Sequence, residues 1–368
     1  MVKISSPGKL FLSGEWAILE LGNPGIVAAV NKRVHVDIEK SKEIEISIDD
    51  FGIKGIKASF DGRLVFKNTT KEQEDRLVFM KGAIETTLKY LGKWEPFRIH
   101  SWGELSSAVV DGQQKKIGFG SSAAAVVSTV GAILVFHGKD LQKRETKDIV
   151  YKLSTIAHYF AQGKVGSAFD VAASTYGGIF VYKRFDPKWL VGQMEAGKTV
   201  RQVTDSQWPG FLVEEMKIPE GFRLLVAWTK ESASTVNLVK EMDKFKSSEP
   251  GEYKRLYDSI ASLVSESIPI WKKADRVRII QNLNRNEILL RELGQKSGLP
   301  IETGDLKRLS EIAQKAGAAG KLSGAGGGDC GIAVCFDQAT ADKIVRQWER
   351  VGLYPIDATV DYRGVTIN

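Results

Sequence analysis

The sequence predicts an α+β fold divided between two domains, and three observations carry that expectation. The chain has 368 residues, beyond the size at which one hydrophobic core usually keeps growing. Alternating apolar stretches and helical spacings follow one another without a regular βαβ repeat. Two glycine-rich turns, at 118–124 and 323–331, each adjoin an apolar run suited to burial.

With 43% hydrophobic and 26% charged residues, the chain can bury a substantial core and does not read as disordered. Lysine and arginine outnumber aspartate and glutamate 52 to 45, a formal charge of +7. These residues are scattered, with no run of five or six like charges, so they read as a solvated surface and no nucleic-acid partner is expected. Cys330 and Cys335 are the only cysteines, which excludes a disulfide framework and a thiol-based four-ligand metal site. The opening MVKISSPGKLFLSGEW is unlike a secretory signal, and no stretch approaches about eighteen uninterrupted apolar residues. The expected location is cytoplasmic, with no membrane partner.

Along the chain, 2–4 and 9–13 read as short strands around a turn at Ser6-Pro7-Gly8, and alternation over 25–39 predicts another strand. From 43 to 66, segments such as IEISI and RLVF, separated by Asp and Gly, predict a hairpin-rich sheet. Leu77, Met80, Ile84 and Leu88 lie at helical spacing and predict a helix over 76–91. A buried helix is expected after Gly118, ending near Phe136, then a second over 146–162 and a strand in IFVYKRF. Weak periodicity with Pro, Gly and Trp over 186–221 places the domain junction there, giving domains of 1–205 and 206–368. The second domain opens on the strand FRLLVAWT and continues through helices over 234–245, 253–265, 276–293 and 303–315. It closes with the strand IAVCF, a helix over 338–349 and a strand near 358–362.

Four segments stand out chemically. In Gly118-Phe119-Gly120-Ser121-Ser122-Ala123-Ala124, glycines let the backbone bend close to an anion while a helix start offers unpaired N–H groups and a positive dipole end. That is a phosphate cradle; read alone it is equally a serine-capped helix start. Walker A spacing and the third glycine of a dinucleotide fingerprint are absent. The second segment, KLSGAGGGDCG from Lys321 to Gly331, holds five glycines in eight residues. A tight turn needs fewer, so the segment predicts backbone passing close to a ligand, with Cys330 a small packing residue. The third, from Pro7 to Trp16, sets Lys9, Ser13, Glu15 and Trp16 in a core-like stretch, where Lys9 either snorkels to solvent or is held inward against phosphate or carboxylate. In the fourth, Lys164, Ser167 and Asp170 recur at three-residue steps that share a face on a helix or turn. Asp170, amid Ala, Phe and Val, needs a partner, either a structural hydrogen bond or a catalytic lysine.

Taken in order, the PGK-type segment from Pro7 to Glu15, the G-x-G-S-S-A loop from Gly118 to Ala124 and the glycine motif from Ser323 to Gly328 resemble the GHMP kinases over most of the chain. The resemblance implies a two-domain GHMP kinase fold, with a ribosomal-protein-S5-like N-terminal domain and a ferredoxin-like α/β C-terminal domain, in a monomer or homodimer. It implies ATP as cofactor, its phosphates over Gly118, Gly120, Ser121, Ser122 and Ala123, and Mg2+ taking oxygen from Ser121 or Ser122. Lys9 and Asp170 are then catalytic, and Ser13, Glu15, Trp16, Lys164, Ser167, Ser234, Ser323, Gly324, Ala325 and Gly326 bind substrate. QGKVGSAFDVAAS, Ser232-Ala233-Ser234-Thr235 and the Asp-Cys ending of GAGGGDCG are similar to the phosphomevalonate kinase branch, which implies 5-phosphomevalonate as acceptor. A mevalonate kinase, a related decarboxylase and a catalytically silent ligand sensor are the alternative readings. A phosphate monoester with a second pKa of about 6 is largely ionised at neutral pH. Asp170 is therefore expected to orient Lys9 and the acceptor more than to remove a proton, with Lys9, Lys164 and Lys116 supplying positive charge. One position departs from the pattern. The Glu that mevalonate kinases carry eleven residues before the Asp is Tyr159 here, beside His158. Metal binding is then expected to rest on serine, phosphate and water, with His158 structural.

Overall fold

In the computed structural model, which describes residues 1–104, 108–110, 113–115, 117–231 and 235–368, alternation and helical spacing resolve into two main sheets covered by helices. The first half runs β1 (Val2–Ser13), β2 (Pro24–Lys40), β3 (Ile44–Ile48), β4 (Ile53–Phe60), β5 (Leu64–Phe66), α1 (Lys71–Arg76), α2 (Val78–Leu91), β6 (Phe97–Gly103) and a short hairpin of β7 (Ala108–Val110) and β8 (Gln113–Lys115). It continues with α3 (Ser121–Phe136), α4 (Arg144–Ala161), α5 (Phe169–Tyr176), β9 (Ile179–Lys183), α6 (Pro187–Glu195), α7 (Val200–Asp205) and β10 (Leu212–Met216). The second half comprises β11 (Arg223–Trp228), α8 (Thr235–Ser248), α9 (Pro250–Lys272), α10 (Arg276–Ser297), α11 (Gly304–Lys315), β12 (Ala319–Leu322), β13 (Cys330–Cys335), α12 (Gln338–Arg350), β14 (Tyr354–Ile356) and β15 (Thr366–Ile367).

The large sheet is ordered β10-β9-β2-β6-β3-β4-β5, with β1 pairing β2 and β15. β2 is long enough to serve β9 with its first residues and β6 with its last, while β1 follows its other edge. The four-stranded sheet, β12-β13-β11-β14, is antiparallel throughout. α3 packs on β1 and β2 and against α2, α4 and α5, which explains its apolar character on nearly every side. On β11, Trp228 is fully buried and its indole N–H donates to the Glu231 carbonyl at 3.1 Å, fixing the turn that follows the strand. Among the described residues, no helix is long and apolar enough to cross a membrane.

Three local expectations change, one being that the strand expected near 358–362 does not form: Val360 makes a single bridge to Val30, with β14 and β15 to either side. Residues 2–13 form one continuous strand, and the expected turn at Ser6-Pro7-Gly8 is a register shift between Pro7 and Gly8. A bulge accommodates the missing proline N–H without ending the pairing. The weakly periodic stretch 186–221 holds two short helices and a strand. The Asp186 carboxylate accepts from the N–H groups of Lys188 and Trp189 with Pro187 in the first turn, and Thr199 with Gln202 forms a capping box, so caps define these helices where periodicity does not. β10, beyond the 205/206 junction read from composition, pairs with β9, and β15 returns to β1, so both chain ends meet in the large sheet.

Candidate active site

Segments distant in sequence converge on one cavity of 380 Å³. Its wall includes Lys9, Glu15 and Trp16 from β1 and the turn after it, Gly118, Gly120, Ser121 and Ser122 around the start of α3, Ser167 and Asp170 before and within α5, and Ser323 to Gly326 between β12 and β13.

The first wall is the N-terminus of α3. Gly120 takes the N-cap position with φ +79 and no side chain caps the helix, so the first-turn N–H groups have no side-chain acceptor and the dipole's positive end lies at the cavity. Of the two readings for this segment, the serine-capped start does not form. Ser122 Oγ lies 3.1 Å from His158 Nε2, and His158 stacks on Phe79 at 4.9 Å between centroids. Burial holds the His158 pKa below its ordinary value, against the pull of the Asp170 carboxylate, so a neutral ring is available to fix the Ser122 hydroxyl. Ala123 is wholly buried in the core.

Lys9 is held inward. Its ammonium donates to the Gly118 carbonyl at 2.7 Å and lies 5.6 Å from the centroid of Phe169, while its N–H donates to Phe119 at 2.9 Å. The expectation that Asp170 orients Lys9 is not met in this geometry: Asp170 Oδ1 accepts from its neighbour Val171 N–H at 2.9 Å, at the first turn of α5. A helix N-terminus satisfies a carboxylate without a lysine, which removes the need for that pairing.

Glu15 and Lys321 form an ion pair with both side chains 1% exposed. Lys321 also donates to the Leu322 carbonyl at 2.5 Å, and nearby Glu287 accepts from Leu322 N–H and Ser310 Oγ–H. Burial pushes the Glu287 carboxyl up to about 7, opposed by Lys321 and those hydrogen bonds. Among the described residues, Glu15 Oε2 and Trp16 Nε1 have no protein partner, and both residues line the cavity. Sequence reasoning singled out Glu15 but not Lys321 or Glu287, whose apolar neighbours look like ordinary helix and strand.

Other expected residues lie elsewhere. The helix begins only at Phe169, with Ala168 at φ +59, so Lys164, itself at φ +64, does not share a face with Asp170. Its ammonium turns to Glu195 at 3.7 Å and to the Phe160 ring, outside the cavity wall. Ser13 is buried beneath the wall. Ser323 Oγ accepts from Phe11 N–H at 2.9 Å and donates to the Phe11 carbonyl, stitching the second glycine segment to β1. Ser234 and Lys116 lie outside the described residues. Asp329, noted in the sequence only for the wording of its motif, enters the wall beside Gly118.

The cavity's donors are oxygen-rich: the Ser121 and Ser122 hydroxyls and the Asp170 and Asp329 carboxylates. Among the described residues, no group of three or more His, Cys, Asp or Glu gathers as a metal cage. This set suits Mg2+ held chiefly by phosphates and water, and Tyr159, at 7% exposure, contributes wall rather than carboxylate.

Comparison with known proteins identifies the family. The families described as GHMP kinases N terminal domain and GHMP kinases C terminal match residues 78–178 and 272–352. The phosphomevalonate kinase of Streptomyces sp. (strain CL190) is 31% identical over 371 residues, covering 98% of this chain and 97% of that protein. The crystal structure of the Lin0012 protein from Listeria innocua is similar at a TM-score of 0.89 and 30% identity, covering 100% of this chain and 99% of that one. Streptococcus pneumoniae phosphomevalonate kinase, in complex with phosphomevalonate and AMPPNP, shares the fold at a TM-score of 0.81 and 24% identity, covering 98% and 100%.

Proposed function

This chain belongs to the GHMP kinases, ATP-dependent small-molecule kinases, and from that premise we propose that it transfers the γ-phosphoryl group of ATP to 5-phosphomevalonate, releasing ADP and 5-diphosphomevalonate. The observation that carries the chemistry is the uncapped N-terminus of α3 facing the same cavity as Lys9, Asp170 and the second glycine segment. The acceptor is supported by similarity to a phosphomevalonate kinase along nearly the full length of both chains.

In this reading the first-turn amides of α3 and the Ser121 hydroxyl receive the triphosphate. Ser121 and Ser122, with phosphate oxygens and water, would hold Mg2+, which would supply neutralisation of charge on the transferring group. Lys9 is the one lysine or arginine among the described residues of the wall, so it bridges the two anions that must meet. The acceptor oxygen is largely ionised at neutral pH, which leaves Asp170 to orient the acceptor. Glu15 Oε2, its charge balanced by Lys321, offers an acceptor for a ligand hydroxyl, and the Trp16 indole N–H offers a donor.

A coupled ADP-release assay with mevalonate, 5-phosphomevalonate, 5-diphosphomevalonate, galactose and homoserine in parallel tests this. Turnover with 5-phosphomevalonate alone is expected. Preference for another acceptor, or release of CO2, sinks the substrate assignment.

A further inference from the structure

We propose that Asp329 is a positioning residue for phosphoryl transfer: its carboxylate clasps Gly118 across the two halves of the molecule and thereby fixes the place where Lys9 holds its charge. The proposal rests on the kinase reading above but not on the identity of the acceptor.

Gly118 stands between two partners. Its N–H donates to Asp329 Oδ1 at 2.9 Å, and its carbonyl accepts from the Lys9 ammonium at 2.7 Å. The two contacts use the peptide units on either side of one α-carbon, so together they fix the orientation of both. Asp329 is aimed by a backbone with little freedom. It lies at φ +66, its N–H donates to the Glu231 carbonyl at 3.0 Å, and its own carbonyl accepts from the N–H and hydroxyl of Thr229 at 2.9 and 3.1 Å. The Glu231 carbonyl is itself held by the indole of fully buried Trp228. Asp329 is thus held at the N-terminal end of β13, an interior strand of the small sheet, and Gly118 in the approach to α3.

The absence of a side chain at 118 points the same way. Gly118, unlike Gly120, has no positive φ, so backbone handedness does not require glycine there. A Cβ at 118 would collide with the Asp329 carboxylate, and the three heavy atoms nearest to it would all belong to that group. Glycine at this position therefore makes room for a carboxylate of the chain itself. Three segments read separately in the sequence meet here: Lys9 from the stretch Pro7 to Trp16, Gly118 from the phosphate-cradle loop and Asp329 from the second glycine-rich segment. A loop tied at both faces holds Lys9 in place before substrates arrive, which is the preorganisation that transfer between two anions demands.

The test is a double-mutant cycle on the full-length protein, comparing wild type, D329N, D329A, G118A and G118A/D329A. The measurements are kcat, KM for both substrates, ADP affinity by calorimetry and melting temperature. A misplacement of about 1 Å lowers rate roughly 10²-fold, so D329A and G118A are each expected to lose kcat on that order with KM and ADP affinity little changed. In D329N the amide oxygen can still accept from Gly118, and kcat should stay within about tenfold of wild type, since one neutral hydrogen bond replaces a charge-assisted one. G118A/D329A should be no worse than D329A, because the added methyl no longer meets a carboxylate.

Multiplicative losses in the double variant, or D329N as impaired as D329A, overturn the clasp. Faster turnover or tighter ADP binding by D329A would make the carboxylate a plug of the cradle and also overturn it, as would failure of D329A to fold. If the wild-type protein turns over a different acceptor, the substrate assignment fails while the cycle is read on that acceptor.

Discussion

The two glycine-rich segments look alike in sequence, yet their glycines answer different neighbours. At 118 the neighbour is the Asp329 carboxylate and the backbone is ordinary. At 326 φ is +78 and an added Cβ would run into the Ile301 backbone carbonyl, which already accepts from Gly327 N–H at 3.0 Å. Gly118 makes room for a side chain and Gly326 for main chain. A glycine cluster in a sequence therefore reports close approach, and its functional weight depends on what approaches.

The comparison can be broken most severely at the root of the second segment. Lys321→Met leaves Glu15 buried without its cation, and loss of one member of such a pair costs about 3–5 kcal/mol, measurable by urea unfolding. Adding Glu15→Gln should recover most of that loss. At the first segment the largest effect is kinetic. Lys9→Met is expected to lower kcat/KM by roughly 10²- to 10³-fold with little change in melting temperature, as for removal of a group that stabilises transition-state charge. Asp170→Asn should lose less than the about 10²-fold that marks removal of a general base; a larger loss with folding intact restores Asp170 as the base.

Gly326→Ala sharpens the contrast, since it combines positive φ with a main-chain collision and should lower stability by about 1–3 kcal/mol. G118A, by contrast, should spare stability and lose rate. The smallest effect concerns pH. Glu287 has a raised carboxyl pKa in the folded protein, so the folded state binds more protons than the unfolded state between the ordinary glutamate range and about 7. Its contribution to stability is full at acid pH, is lost as pH rises through that window and levels off above it. Glu287→Gln should flatten the corresponding fall in melting temperature, and an unchanged slope would remove Glu287 as its source.

Much of the architecture was legible in short-range pattern. Alternation over 25–39, helical spacing at Leu77, Met80, Ile84 and Leu88 and the apolar run after Gly120 appear as β2, α2 and α3. Helices marked mainly by caps, α6 and α7, were hidden because capping is an event of one to four residues rather than a period. In the site, Lys9, Glu15, Trp16, Gly118, Gly120, Ser121, Ser122, Ser167, Asp170 and the residues from Ser323 to Gly326 do line one cavity. The three-residue steps from Lys164 through Ser167 to Asp170 suggest a shared face on a helix or turn, but left-handed residues at 164 and 168 break that regularity before the helix begins.

By itself the sequence marked the segments that carry the chemistry, because glycine turns and a lysine in an apolar stretch are local features written in consecutive residues; the uncapped helix start and the inward lysine were decided by the fold. Only the tertiary structure decided who holds whom. Asp329 reaches Gly118 across 211 positions and Lys321 reaches Glu15 across 306, distances over which no periodicity survives and which only the pairing and packing of strands can close. The charge of Lys9 was readable from its neighbours, but the carbonyl that holds it, and the carboxylate that holds that loop, became visible only when the two sheets were brought together.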